Sequence, residues 1–318
     1  MKRFSITEAI AEPFRQAGRR PMATIIWGLV LLAPSVLAFA SLIPLLQEMA
    51  ASGAFEPGAS AAPFDGDFAT AVQFHLWSQL ANLLQLFAAL FVTTAIFRAV
   101  FSGRRGDGAA FLRIGMHELY VAVVAVTIFI GMMIAMVAAV LLAVAIGLAL
   151  SGTPDPWRTL IYVGMGVALA VGFLALWGRL ALLAPASLRY DTFAFVEGWK
   201  LGRGQTWRLV GVLILMFLIA IVVGIALAMV IGVVVMLVGG GLVMANPEAM
   251  LTWLEGLPER PYLLIGLGLM LLLPIAWIHG FFQLLSTAPF ARAVRDLAAE
   301  AEPAAESANS ADTTPIAD

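Results

Sequence analysis

The chain has 318 residues, of which 62% are hydrophobic and only 12% charged, with a mean hydropathy of +0.96 and a formal net charge of −2. Soluble domains carry about 25% charged residues, so this composition excludes an ordinary soluble fold, and the slightly negative balance excludes a nucleic-acid binder. Cysteine is absent, which removes disulfides, thiolate metal sites and a cysteine nucleophile.

A helix needs about 20 apolar residues to cross the hydrocarbon core. Residues 1–21 come first, as a cytoplasmic interfacial helix. Ser5-Ile6-Thr7-Glu8 has capping-box spacing, and Ile6, Ile10 and Phe14 fall on one face. The membrane domain follows over 22–296, with spans at about 22–47, 76–101, 119–150, 159–187, 209–243 and 261–290. The fold class expected is therefore all-α and polytopic, with six transmembrane helices. The basic start, the apolar run and Ala38-Phe39-Ala40 resemble a cleavable signal peptide. The run continues through Leu46, so an uncleaved first helix is expected.

The third and fifth spans exceed a membrane thickness at about 1.5 Å per residue and should tilt, protrude or break. Gly239-Gly240-Gly241 marks such a break. The external loop over 52–67, rich in Gly, Ala and Pro, is expected to be unstructured. Asn246-Pro247-Glu248 reads as the start of a short helix, with Met250, Trp253, Leu254 and Leu257 on the membrane surface. The tail over 297–318 carries acids and no base beyond Glu300 and is expected to be a disordered cytoplasmic extension.

Orientation follows the cations. Of the 18 basic residues, all but Arg158 and Arg260 lie at one end of the spans. The opposite loops hold Glu48, Glu56, Asp65, Asp67, Asp155, Glu248, Glu255 and Glu259. Both termini are thus expected in the cytoplasm. The spans also group into three pseudo-repeated hairpins. Each outward helix is preceded by a segment with a capping residue and an aromatic: Ser5–Phe14, Asp107–Phe111 and Asp191–Phe195. Each returning helix ends in a basic exit: Phe97-Arg98, Pro185 with Arg189, and Pro289-Phe290-Ala291-Arg292.

Arg179-Leu-Ala-Leu-Leu-Ala-Pro185, Gly198-Trp199-Lys200-Leu201-Gly202-Arg203-Gly204 and Trp207-Arg208-Leu209 resemble a block in the membrane domain of some glycerophosphodiester phosphodiesterases and in related stand-alone six-helix inner-membrane proteins. The block closes one helix with arginine and proline and opens the next with Ser-Trp-x-Leu-Thr-Arg-Gly and Trp-Arg. Gly198 stands where the pattern has serine and Gly202 where it has threonine, so any role of those hydroxyls is absent. The close match covers about 30 residues, and the six-helix plan extends it weakly. The resemblance implies a bacterial inner-membrane protein. It does not imply the phosphodiesterase activity, which belongs to a soluble barrel for which no residues remain here.

Polar residues inside spans are expensive in lipid and often functional. His75, Ser78, Gln79 and Asn82 share one helical face with Gln85 beside them, and His279 lies one turn from Gln283. They line either a polar path or interhelical hydrogen bonds. No acid lies inside a span, which weakens ion-coupled transport. Small residues recur every fourth position at Gly131 to Gly147, at Gly164, Ala168 and Gly172, and at Gly224, Ala228 and Gly232. Such ridges are packing devices, within the bundle or in a homo-oligomer. The interfacial cations Arg179, Arg189, Lys200, Arg203 and Arg208 are the candidate lipid-headgroup contacts, Arg179 either holding a lipid phosphate or snorkelling to the surface.

No metal site, catalytic constellation or cofactor motif is recognised, so none is assigned. The function expected is non-enzymatic binding or organising of anionic membrane lipids or partner proteins. The alternative is a transporter or lipid flippase using a polar path along the second and sixth helices.

Overall fold

Ser5 opens the first helix by accepting the Glu8 amide on its Oγ at 3.4 Å. Helix α1 (Ile6–Arg19) follows, with Glu8 in its first turn and Arg19 in its last, each charge complementing the helix dipole. The computed structural model describes the backbone of residues 4–51, 68–102, 109–113, 115–236 and 261–311, and the side chains within these stretches except at 40–51, 68–71, 109, 234–235, 261–265, 267, 269 and 300–311. The break at Gly239–Gly241, the loop over 52–67 and the short helix after Asn246 lie outside the described residues.

The long helices are α2 (Pro21–Ala51), α3 (Phe68–Ser102), α4 (Met116–Ala149), α5 (Asp155–Leu180), α8 (Thr206–Val235) and α9 (Pro261–Ala311). These six are long and apolar enough to cross a membrane, and no strand occurs among the described residues. Two short helices, α6 (Leu183–Tyr190) and α7 (Phe195–Leu201), join α5 to α8.

The fourth apolar stretch, Asp155–Tyr190, covers the expected span but is broken inside it: α5 ends at Leu180 and α6 resumes at Leu183. Pro185 has no N–H to continue the ladder to the Ala181 carbonyl, and it is tolerated in the first turn of α6. In the second unit the described residues before α4 form a 3₁₀ turn over Ala109–Phe111, in which Ala110 and Phe111 take φ of 56° and 62°. Asp191 does not start a helix. It ends α6 in the left-handed conformation, φ 52°, and Ala194 precedes α7 without a side-chain cap. The last helix runs on to Ala311, where acidic composition suggests unstructured chain. Alanine and glutamate are strong helix formers, and they carry the helix past the last core contact at Ala298.

Burial crowds into the end of the bundle where the arginines lie. The core takes Trp27 and Leu31 from α2, Val92 to Val100 from α3, Leu182 and Ala186 from α6, Leu209 to Met216 from α8, and Phe281 to Leu297 from α9. Helix α1 is part of this core: Ala9, Glu12, Gln16 and Ala17 are buried, and α1 packs along α9. Of the expected apolar face, Ile6 and Ile10 pack on the core, while Phe14 stays partly exposed and meets the Phe281 ring edge-on at 5.4 Å. Farther out, α4, α5 and α8 present Phe129, Leu141, Val163, Phe217 and Met229. An exposed apolar belt of this size is unstable in water and is covered by hydrocarbon in a bilayer.

A backbone-to-backbone crossing joins α2 to α9. A Cβ on Gly28 would collide with the Ala276 carbonyl, and one on Gly280 would collide with the Thr24 carbonyl. Thr24-x₃-Gly28 and Ala276-x₃-Gly280 thus form a small-residue seam that brings two backbones into contact. The ridges expected on α4, α5 and α8 do not do this. Nothing lies within 4 Å of a Cβ built at Gly131, Gly164, Gly172, Gly224 or Gly232, because those helices turn these faces away from the core. Gly147 reaches only the Tyr162 hydroxyl, at 3.3 Å.

Candidate functional site

Most of the described arginines at the basic end are locks. The last carbonyls of a helix have no partner inside it, and α3 meets this need from its neighbours. Arg20 donates to the Ala99 carbonyl at 3.2 Å and Arg295 to the Val100 carbonyl at 2.8 Å. Arg292, on α9, reaches Glu8 at 2.5 Å, Glu12 at 3.6 Å and Asp296 at 2.9 Å. Glu12 is only 2% exposed, and Arg15 at 3.0 Å and Gln16 at 2.7 Å also bond it. A buried carboxylate held by this many donors is stable where a lone one is not.

The five headgroup candidates divide. Arg179 donates from Nε to the Thr206 hydroxyl at 2.7 Å, and its guanidinium lies over the Trp199 ring at 5.1 Å. Arg208 donates to the Phe4 carbonyl at 3.2 Å, holding the segment that precedes α1. These two therefore join elements of the protein. Lys200 and Arg203 are exposed on α7 and the turn after it. Trp199, Phe193, Val196 and Trp207 are exposed on the same edge, so cations and half-bare aromatics form one rim. The rim's shape follows from its glycines. A Cβ on Gly198 would meet Leu183 Cδ2 at 2.9 Å, so α7 seats on α6 only without a side chain there. Gly204 takes φ of +80° at the turn into α8, where glycine is unstrained.

Arg189 lies elsewhere, in the wall of a cleft of about 520 Å³ with Arg98, Arg113, His117, Ser102, Phe101, Phe111, Leu188 and Gly115. Arg98 pairs with Glu118 at 2.7 Å, both largely buried, and donates to the carbonyls of Phe111 at 3.3 Å and Arg113 at 3.0 Å. His117 Nε2 lies 3.1 Å from Asp191, and Tyr120 meets Phe193 edge-on at 4.8 Å. These two contacts tie the α6–α7 turn to α4. The 3₁₀ turn that forms one wall is pinned from α2: Trp27 donates to the Ala110 carbonyl at 2.8 Å, and Arg20 covers the Phe111 ring at 4.5 Å. In the sequence, Arg98 and Arg113 count only among the cations that set the orientation. The available signal was His117-Glu118 immediately before an apolar run, because an acid there needs a partner.

The intramembrane polar residues do not converge. Gln79 and Asn82 are exposed on α3, and Ser78 and Gln85 are half-buried. Gln283 donates to the Thr93 hydroxyl at 2.9 Å, an α9–α3 hydrogen bond, while His279 is exposed. A larger cavity, about 730 Å³, lies between α5, α8 and α9 and is lined by apolar groups such as Phe173, Trp177, Phe217 and Phe290. Compared with protein-family models, curated proteins and solved structures, the chain matches none.

Proposed function

We propose that this multi-pass membrane protein is a non-enzymatic binder or organiser of anionic lipids in a bacterial inner membrane, with both termini in the cytoplasm. The observation that carries the reading is the rim of α7 and the start of α8, where exposed Lys200 and Arg203 stand among exposed Phe193, Val196, Trp199 and Trp207. Aromatic side chains favour the headgroup level, and cations beside them attract anionic headgroups. The segregation of the basic residues supports the orientation. Arg98 meets Glu118, Arg179 meets Thr206, and Arg292 meets Glu8 and Glu12. In each case the end of a returning helix touches the start of a following unit, the last touching the first, which supports a cyclic arrangement of three hairpins. Kinship with the membrane domain of glycerophosphodiester phosphodiesterases is proposed on the Arg179–Leu209 block alone.

Each surface cation near an anionic leaflet contributes about 1 kcal/mol, so Lys200→Ala/Arg203→Ala should weaken anionic-lipid retention roughly thirty-fold. Native mass spectrometry of protein released from mild detergent reads this directly. Phosphatidylglycerol or cardiolipin retained equally by wild type and variant would sink the reading.

The transporter alternative needs water beside Asn82 and Gln283. A single cysteine at either position is informative because the chain has none. Gln283→Cys is expected to resist a membrane-impermeant maleimide, since the Thr93 bond lies in the α3–α9 contact. Rapid labelling at both positions would favour the transporter.

A further inference from the structure

We infer that the cleft between α3, the 3₁₀ turn, α4 and α6 is a phosphate-binding site, separate from the rim at Lys200 and Arg203. The inference stands on the cleft's own groups and does not depend on the lipid reading. Its walls include Arg98, Arg113 and Arg189, each from a different segment of the chain. Planar guanidinium forks match phosphate oxygens and bond them in pairs. Among the described residues, Glu118 pairs with Arg98 and Asp191 lies beside His117.

A second observation is independent of charge. The Ser102 hydroxyl lines the cleft, is buried, and has no hydrogen-bond partner among the described residues. Buried polar groups are almost always satisfied, so an orphan calls for an explanation, and at the wall of a cleft a ligand atom supplies one. A phosphate oxygen beside it would accept its O–H. Phe101, Phe111 and Leu188 form the rest of the wall and lower the local dielectric, which strengthens charge-assisted bonds.

The wall is also held in a conformation that side-chain-bearing residues avoid. Ala110 and Phe111 are consecutive left-handed residues, which costs energy and persists only where surroundings enforce it. Trp27 and Arg98 supply that enforcement by bonding the two carbonyls. A cleft of about 520 Å³ is roomier than a bare phosphate requires and lies in the range of small-molecule sites. The ligand class is thus a phosphate group carrying a small organic substituent, supplied either by a soluble phosphomonoester or by a lipid headgroup.

Two probes separate these sources: glycerol 3-phosphate, titrated by calorimetry, and dioctanoyl phosphatidic acid, counted by native mass spectrometry, both on the full chain in mild detergent. Saturable binding of both assigns the phosphate group itself, and binding of phosphatidic acid alone assigns a lipid. Arg113→Ala/Arg189→Ala should weaken whichever probe binds by at least roughly tenfold, the loss of two charge-assisted contacts. Ser102→Ala should weaken it a few-fold without altering thermal unfolding, an effect independent of any change in the arginine variant's fold. Arg158→Ala, which removes a cation paired with Asp155 at the far end of α5, should leave it unchanged. Absence of binding by both probes, or equal binding by the arginine variant, would overturn the assignment.

Discussion

Gly28→Leu is expected to prevent the bundle from assembling, read as loss of a monodisperse species in mild detergent and loss of a cooperative thermal transition. At this crossing the obstacle to a side chain is backbone. A Cβ on Gly28 would overlap the Ala276 carbonyl, and Gly280 is blocked in the same way by Thr24. Overpacking a core that can relax costs about 1–3 kcal/mol. Here α2 and α9 would have to separate along their length, so even Gly28→Ala should reach about 3 kcal/mol, the upper end of that range. That loss would appear despite the roughly 1 kcal/mol of helix propensity that alanine gains over glycine. Gly131→Leu and Gly224→Leu are the matching controls, since nothing lies within 4 Å of a Cβ there. Both should fold as wild type does. Wild-type stability in Gly28→Leu would show that the crossing is not where the chain closes.

The contrast between these glycines explains how far a small-residue pattern can be read. Gly131, Gly164 and Gly224 have cleaner fourfold spacing than Gly28 and Gly280, yet only the latter pair makes a backbone contact. Spacing gives the smooth face of one helix and says nothing about which partner arrives. The six spans were legible because lipid imposes a length and a hydropathy on every crossing segment. Breaks within them were less so. Inside the fourth apolar stretch α5 ends at Leu180 and α6 resumes at Leu183, because a missing N–H at Pro185 outranks hydrophobicity there.

The candidate site was legible only as charge. Counting arginines at one end finds all of them, but the count cannot tell Arg179, bonded to Thr206, from Lys200, exposed on the rim. Orphan carbonyls at the ends of α3 and the buried acids Glu12 and Glu118 decide which cations turn inward, and those demands appear only when the helices are placed together. His117 shows the same limit. Its neighbour Asp191 is distant in sequence, and the two meet because Asp191 ends α6 in a left-handed turn beside the first turn of α4.

Arg98→Ala is expected to lower stability by about 3 kcal/mol, the lower part of the range for removing one partner of a buried ion pair. Glu118 is 7% exposed in its side chain and Arg98 17%, so water screens the pair little. Without Arg98 the Glu118 carboxylate keeps, among the described residues, the Gly115 amide, which donates to it at 2.8 Å. The carbonyls of Phe111 and Arg113 lose a donor in the same step. The left-handed turn at Ala110 and Phe111 would then keep the Trp27 and Arg20 contacts. The double variant Arg98→Met/Glu118→Met removes both charges while keeping volume, and such replacements are often neutral or stabilising. It should therefore recover most of the stability lost in Arg98→Ala. Thermal unfolding of Arg98→Met, Glu118→Met and the double variant closes the cycle, with a coupling of about 1–3 kcal/mol expected for groups in contact. Strict additivity of the single losses would mean that the ion pair does not hold the turn. If the double variant regains stability but fails to bind a phosphorylated probe that wild type binds, folding and ligand binding are separate tasks of the same guanidinium group.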